Sequence, residues 1–204
     1  ILKYENIESV TLVDLDPAMT DLFSSAPPLV ALNAGALKSP RVKTINADAL
    51  QWLEDNREYF DFIVIDFPDP ANFALGKLYS SAFYRLLEKR LSAHGLLVVQ
   101  STSPLYARQS IWCVVPTLEA VGFKTAPYHA LVPSFGEWGY IIAGRQKFAP
   151  VAVDAKKTRF LSPETSTDLF HFPADMARLP AEVNRLNNQV LVRYFEAEWR
   201  KVIR

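Results

Sequence analysis

The sequence predicts an α/β fold built on a parallel sheet, and three observations carry that reading. Phe62-Ile63-Val64-Ile65 is a run of four apolar residues bounded by carboxylates, the pattern of a short strand buried on both faces of a parallel sheet. Leu96 to Gln100 repeats the pattern. Between such runs the apolar residues recur three and four apart, as on one face of a helix. Strands alternating with helices in this way imply right-handed crossovers between parallel strands.

Taken in order, Ile1 to Tyr4 reads as the end of a helix, because no cap or start signal precedes it. Val10 to Val13 is a β-rich strand ending at Asp14-Leu15-Asp16-Pro17. Asp16 is placed to cap a following helix that has Pro17 at its first position. Pro27 and Pro28 interrupt that helix, with a further turn to Ala34. Val42 to Ala47 is a second strand. Asp48-Ala49-Leu50-Gln51 opens a helix in capping-box fashion, turning Trp52 and Leu53 inward. Phe62 to Ile65 is the third strand. Ser80 or Ser81 starts a helix whose Phe83, Leu87 and Leu91 share one face, and Gly95 ends it.

Leu96 to Gln100 is the fourth strand. Ile111, Val114, Val115, Leu118 and Val121 form a helical stripe that Pro116 should kink or start. Phe123 to Leu131 and Trp138 to Ala143 predict a closing antiparallel pair joined by Pro133 to Glu137. Lys147 to Arg159 reads as a polar linker and Ser162-Pro163-Glu164 as a short helix start. Leu186, Val190, Leu191, Tyr194, Phe195, Trp199 and Val202 form the apolar stripe of a terminal helix. The expected division is a domain over 1–146 and a linker with helical extension over 147–204.

The chemistry is expected where the third strand stops. Ligands of open α/β sheets sit outside the carboxyl ends of the strands. The stop carries Asp66-Phe67-Pro68-Asp69-Pro70, whose two prolines hold the backbone extended. Two carboxylates on a stiff loop suit a cationic amine, so Asp66 and Asp69 are the candidate reacting groups; the bland alternative is that they cap and start turns. Asp14 ends its strand where a ribose-binding acid belongs, or is simply a solvated loop acid. Asp48 is first of all a helix N-cap, although a carboxylate can accept several hydrogen bonds.

Composition excludes several classes. Twenty-two basic residues balance 22 acidic ones, which argues against a basic nucleic-acid-binding face. No apolar run approaches the ~18 residues of a membrane span. The single cysteine, Cys113, excludes an internal disulfide and reads as a small buried apolar residue rather than a nucleophile. The three histidines are scattered without ligand spacing, so no metal is expected. Only seven glycines are present and none forms the G-x-G turn that opens a doubly wound sheet. The first strand already ends in an acidic pair, a mark of the second strand of such sheets. The expectation is that the chain starts inside its domain, after a first strand and Gly-rich loop.

Several segments occur together in the order seen in polyamine aminopropyltransferases. They are Val13 to Pro17, Asn46 to Ala49, Asp61 to Pro70, Leu78 to Tyr84 and Val98 to Pro104. The chain resembles the spermidine synthase family over nearly its whole length. Pro133 to Gly139 and Val183 to Gln189 are similar to its membrane-linked bacterial branch.

The resemblance implies a Rossmann-like S-adenosylmethionine-dependent methyltransferase fold with an antiparallel C-terminal strand. It also implies transfer of an aminopropyl group from decarboxylated S-adenosylmethionine to a diamine such as putrescine, with no permanently bound cofactor. By the same resemblance Asp66 is the catalytic aspartate and Asp69 contacts the amine. Asp14 binds the ribose hydroxyls, Asp48 the adenine amino group, and Ala49 lies beside the ring. Tyr79 and Gln100 line the pocket and Trp138 sits near the diamine path. Glu137 is placed to meet the distal amine. A cytoplasmic homodimer, with membrane helices upstream in the full-length protein, is implied too. Two departures stand out: the Gly-rich loop with its aminopropyl-binding aspartate, and the family's N-terminal β-hairpin domain, are absent from this chain.

Two other readings remain open. A methyltransferase on the same fold would use ordinary S-adenosylmethionine, with Asp66-Phe67-Pro68-Asp69 in place of an Asn/Asp-Pro-Pro-aromatic loop. A non-catalytic module would keep the fold for assembly or polyamine sensing.

Overall fold

The computed structural model describes residues 1–150 and 160–202. It contains two compact units, Ile1–Arg57 and Glu58–Arg204. In the first, strand β1 (Val10–Asp14) pairs in parallel with β2 (Val42–Asn46), in register from Val10 opposite Val42 to Asp14 opposite Asn46. Helix α1 (Pro17–Ser25) begins as expected: the Asp16 carboxylate accepts from the Ala18 amide at 2.9 Å and Pro17 fills the first helical position. Helix α2 (Pro27–Leu32) follows, then α3 (Ala49–Asp55), capped by Asp48 through the Leu50 and Gln51 amides. Ile1 to Tyr4 is not a helix end. It forms turns, and the Arg41 guanidinium donates to the carbonyls of Leu2 at 2.9 Å and Ile7 at 2.8 Å. Those carbonyls are thereby committed outside any helical ladder.

The second unit holds a four-stranded sheet in the order β3 (Phe60–Ile65), β4 (Leu91–Gln100), β6 (Gly136–Gly144), β5 (Lys124–Val132). β3 and β4 are parallel, while β6 runs antiparallel to both β4 and β5. The expected closing hairpin is therefore present, with β6 inserted between β4 and β5. The helices are α4 (Phe73–Gly76), α5 (Ser81–Arg90), α6 (Arg108–Glu119), α7 (Pro163–Asp168) and α8 (Val190–Val202). One sheet face, with Ile65, Leu97, Val99, Ile141 and Ala143, is buried together with Phe83, Leu87, Ile111, Val114 and Leu118 from α5 and α6. Fully burying such side chains contributes about 1.5–3 kcal/mol each.

Three local expectations are corrected. The third strand is not buried on both faces, since Phe62 and Val64 are about half exposed (52% and 51%). Among the described residues β3 pairs with β4 alone, and Phe62 and Val64 alternate with the covered Ile63 and Ile65. Gly95 does not end α5. The helix stops at Arg90, and Gly95 lies within β4, where a Cβ would come within 2.9 Å of the Leu91 side chain. The stretch between Leu91 and Leu96 bulges out of register with β3, and the lack of a side chain permits the close approach. Leu186 is exposed and precedes α8 rather than belonging to its stripe. Pro116 sits within α6, which runs through it to Glu119. Part of the expected linker, residues 151–159, lies outside the described residues.

Among the described residues beyond 160, Met176, Asn184, Val190, Leu191, Val192 and Phe195 are buried within the second unit. Asn184 is fully buried, and its side-chain amide donates to the carbonyls of Gly76 and Tyr79, both at 3.1 Å. Its side-chain oxygen accepts from the Leu191 amide at 3.3 Å. Glu198 on α8 accepts from the Ser110 hydroxyl at 2.7 Å and from the Gln109 and Ser110 amides, capping the start of α6.

Tyr84 is fully buried, and its hydroxyl has no hydrogen-bond partner among the described residues. A buried polar group left unpaired costs about 1–3 kcal/mol. Tyr84→Phe is therefore expected to leave the melting temperature unchanged or raise it by a few degrees. A fall in a thermal melt would show that the hydroxyl is satisfied in solution.

Candidate active site

The carboxyl end of β3 runs into Asp66-Phe67-Pro68-Asp69-Pro70, and this loop forms one wall of a cavity of about 460 Å³. The other walls are Gln100 at the end of β4, Tyr140 and Trp138 on β6, and Val132 and Phe135 on the β5–β6 hairpin. The register explains the grouping: Gln100 lies opposite Tyr140, and Trp138 projects from the same face two residues along. The Phe135 and Trp138 rings pack 5.4 Å apart. The cavity thus has a carboxylate end and an aromatic wall, which is the chemistry of a site for an ammonium on an apolar stem.

Asp66 is exposed at the cavity, while Asp69 is half-buried. Burial pushes the Asp69 carboxyl above its ordinary range, partly offset by the hydrogen bond from Thr102. The Thr102 hydroxyl donates to Asp69 Oδ2 at 3.3 Å. Asp69 Oδ1 is buried with no partner among the described residues. With its amide oriented to satisfy both neighbours, Gln100 donates to the Phe67 carbonyl at 3.2 Å and accepts from the Trp138 indole N–H. Gln100 therefore ties the acidic loop to the aromatic wall.

Tyr79 does not line the cavity. It is buried behind the loop, and its hydroxyl donates to the carbonyls of Phe67 (3.1 Å) and Pro68 (3.2 Å). Burial, then the charges of Asp69 and Asp66, hold that phenol far above its usual range, so it stays a neutral donor. Glu137 is also elsewhere: it pairs with His129 Nδ1 at 2.5 Å across the hairpin, on the face opposite Trp138. Burial pushes the Cys113 thiol up to about 12, and Sγ donates to the Glu182 carbonyl, so it is no nucleophile.

Thr102, Tyr140 and Phe135 belong to the site by position, and sequence reasoning passed over them as site residues. Only Phe135 had a local signal, its place at the tip of a Pro- and Gly-flanked hairpin.

In the first unit, Asp14 is the last residue of β1 and Asp48 lies two residues past the end of the adjacent parallel strand β2. Asp14 Oδ1 accepts from the Asp16 amide at 2.8 Å, and the Asp14 carbonyl accepts from the Ala47 amide at 3.0 Å, stitching the two loops together. Ala49 is the first residue of α3, immediately after Asp48.

The comparisons agree with this architecture. Residues 1–156 match the family model described as the spermine/spermidine synthase domain. The chain is 56% identical over 206 residues to polyamine aminopropyltransferase 2 of Ralstonia nicotianae, covering 100% of this chain and 40% of that protein. It is 49% identical over 203 residues to the polyamine aminopropyltransferase of Leptospira interrogans, covering 100% of this chain and 41% of that one. It thus spans about two fifths of the length of the curated relatives it matches. The fold is that of the spermidine synthase from Thermotoga maritima (TM-score 0.71, 21% identity, 84% of this chain and 60% of that one). A spermidine synthase solved with the transition-state analogue AdoDATO is equally similar (TM-score 0.71, 22% identity, 84% of this chain and 61% of that one). On the family model and these relatives together, the chain belongs to the spermine/spermidine synthase domain family.

Proposed function

We propose that this chain is the catalytic portion of a polyamine aminopropyltransferase, which moves an aminopropyl group from decarboxylated S-adenosylmethionine to a diamine. The observation that carries the reading is the acidic loop: a solvent-facing carboxylate and a half-buried one with an unpartnered oxygen, facing an aromatic wall. A diamine has that shape and charge, with ammonium groups joined by methylenes.

The acceptor amine is mostly protonated at neutral pH, with a pKa of roughly 10. Asp66 orients it and takes its proton. As the new N–C bond forms, the C–S bond breaks and sulfur leaves as a neutral thioether. Asp69 holds an ammonium through Oδ1, and the negative loop lowers the cost of gathering several positive charges. Trp138, Tyr140 and Phe135 cover the methylene stem. Tyr79 and Gln100 fix the loop's carbonyls. Asp14 binds the ribose hydroxyls of the co-substrate and Asp48 its adenine amino group, with Ala49 beside the ring. Their place at the carboxyl ends of adjacent parallel strands supports this. The co-substrate supplies the electrophilic carbon next to its sulfonium.

A homodimer, a cytoplasmic location and membrane helices elsewhere in the full-length protein complete the reading, on the strength of the family resemblance. No helix among the described residues is long and apolar enough to cross a membrane.

The test is a binding comparison on the full-length protein. Decarboxylated S-adenosylmethionine is expected to bind at least about tenfold more tightly than the ordinary form, because the added carboxylate would meet an acidic site. The reverse preference would replace this reading with methyl transfer. Binding of both substrates without turnover would replace it with a sensing module.

A further inference from the structure

Thr102 is a β-branched residue with φ of +60°, a left-handed conformation that such side chains rarely adopt. It is 2% exposed and lies two residues past the end of β4. Strain of this kind persists only where the surroundings over-determine it, and it clusters at functional sites.

The surroundings here are specific. The Gly139 amide donates to the Thr102 carbonyl at 2.7 Å, and the Ser101 amide donates to the Gly139 carbonyl at 2.9 Å. A Cβ on Gly139 would lie 3.0 Å from the Thr102 carbonyl and 2.1 Å from Ile111 Cδ1, so the close approach requires glycine. Gly139 stands between Trp138 and Tyr140, both on the cavity wall. The α6 end of the loop is held as well, since Glu198 on α8 caps its first amides. The strained backbone delivers one side-chain contact to the site, the hydroxyl on Asp69 Oδ2.

We propose that Thr102 is a positioning residue for the substrate ammonium: its strained backbone aims the hydroxyl at Asp69 Oδ2, which orients the carboxylate and leaves Oδ1 for the ligand. The inference rests on the aminopropyltransferase reading for the identity of that ligand. The hydroxyl also favours the charged form of Asp69 against its burial. The other titratable groups facing the loop are Asp66, Tyr79 and Tyr140.

The experiment compares wild type, Thr102→Val, Thr102→Ser and Thr102→Gly in the full-length protein, measuring putrescine binding by calorimetry from pH 5 to 9 alongside aminopropyl transfer. Thr102→Val keeps the branched shape and loses the hydroxyl. It is expected to weaken putrescine about tenfold, as loss of a hydrogen bond to a charged group does. The affinity for decarboxylated S-adenosylmethionine should stay unchanged. The acid limb of putrescine binding should move to higher pH, because without the hydroxyl Asp69 holds its proton more strongly. Thr102→Ser should restore both.

Thr102→Gly relieves the strain and removes the hydroxyl; with a thermal melt confirming that it is folded, it should bind putrescine as weakly as the valine variant. Putrescine binding by Thr102→Val or Thr102→Gly at wild-type strength, with an unmoved acid limb, would overturn the proposal. So would failure of the serine variant to recover. A wild type that binds putrescine without transferring to it defeats the aminopropyltransferase reading alone, and the binding series then still decides the role of Thr102. A wild type that does not bind putrescine defeats both.

Discussion

Asp66→Asn in the full-length protein is expected to lower kcat for aminopropyl transfer by about 10²–10⁴-fold, the usual contribution of a positioned general base. The amide keeps the shape of the side chain and removes its capacity to accept a proton from an ammonium. Asp66 is solvent-facing, so the folded state should lose little: surface changes of this kind usually fall within about 0.5 kcal/mol. The pair of measurements is the test. A melting temperature within a degree or two of wild type together with collapsed turnover fits a base. Turnover within about twofold of wild type removes Asp66 from the chemistry, leaving Asp69 as the remaining carboxylate at the cavity.

Asn184→Ala is expected to produce the largest stability loss. Its side chain makes three hydrogen bonds inside the second unit, to Gly76, Tyr79 and Leu191. Removing it leaves two carbonyls and one amide without these partners in a buried place, at about 1–3 kcal/mol for each group left unsatisfied. Allowing for relaxation, a loss of about 3 kcal/mol is expected, or a fall of roughly 6–12 °C in melting temperature.

Asn184→Asp should be at least as damaging, since it sets a carboxylate oxygen against two carbonyl oxygens. Because Asn184 holds the Tyr79 carbonyl and the Tyr79 hydroxyl holds the acidic loop, transfer activity should fall with stability even though Asn184 does not touch the cavity. A thermal melt within about 1 kcal/mol of wild type would show that these contacts are replaced in solution.

Much of the architecture is legible from short-range pattern. The helix starts at Asp16, Asp48, Ser80 and Ser162 follow from side chains that reach amides two or three residues away. The strands follow from apolar runs, and the acidic loop from two carboxylates between prolines. Where the local reading failed, long-range packing overrode it. Gly95 looked like a helix end, but Leu91 pairs with Phe60 and draws the chain into a strand early. Pro116 read as a kink or as the start of its helix, but α6 starts earlier, at Arg108, on residues that packing buries.

The residue types and their order along the chain settled the side-chain-capped helix starts, which loop carries the negative charge, and that the one thiol would be buried and inert. Which side chains meet that loop was decided by the folded arrangement alone. Tyr79 lies behind it, Glu137 is committed to His129, and Thr102 reaches Asp69 from 33 positions away. Asn184 clasps Gly76 across 108. Hydrogen-bond partners so far apart leave no periodicity to read, and a strained φ leaves no mark on composition. Both arise only when separate elements are forced against one another and each buried polar group must find the donor or acceptor that packing brings within reach.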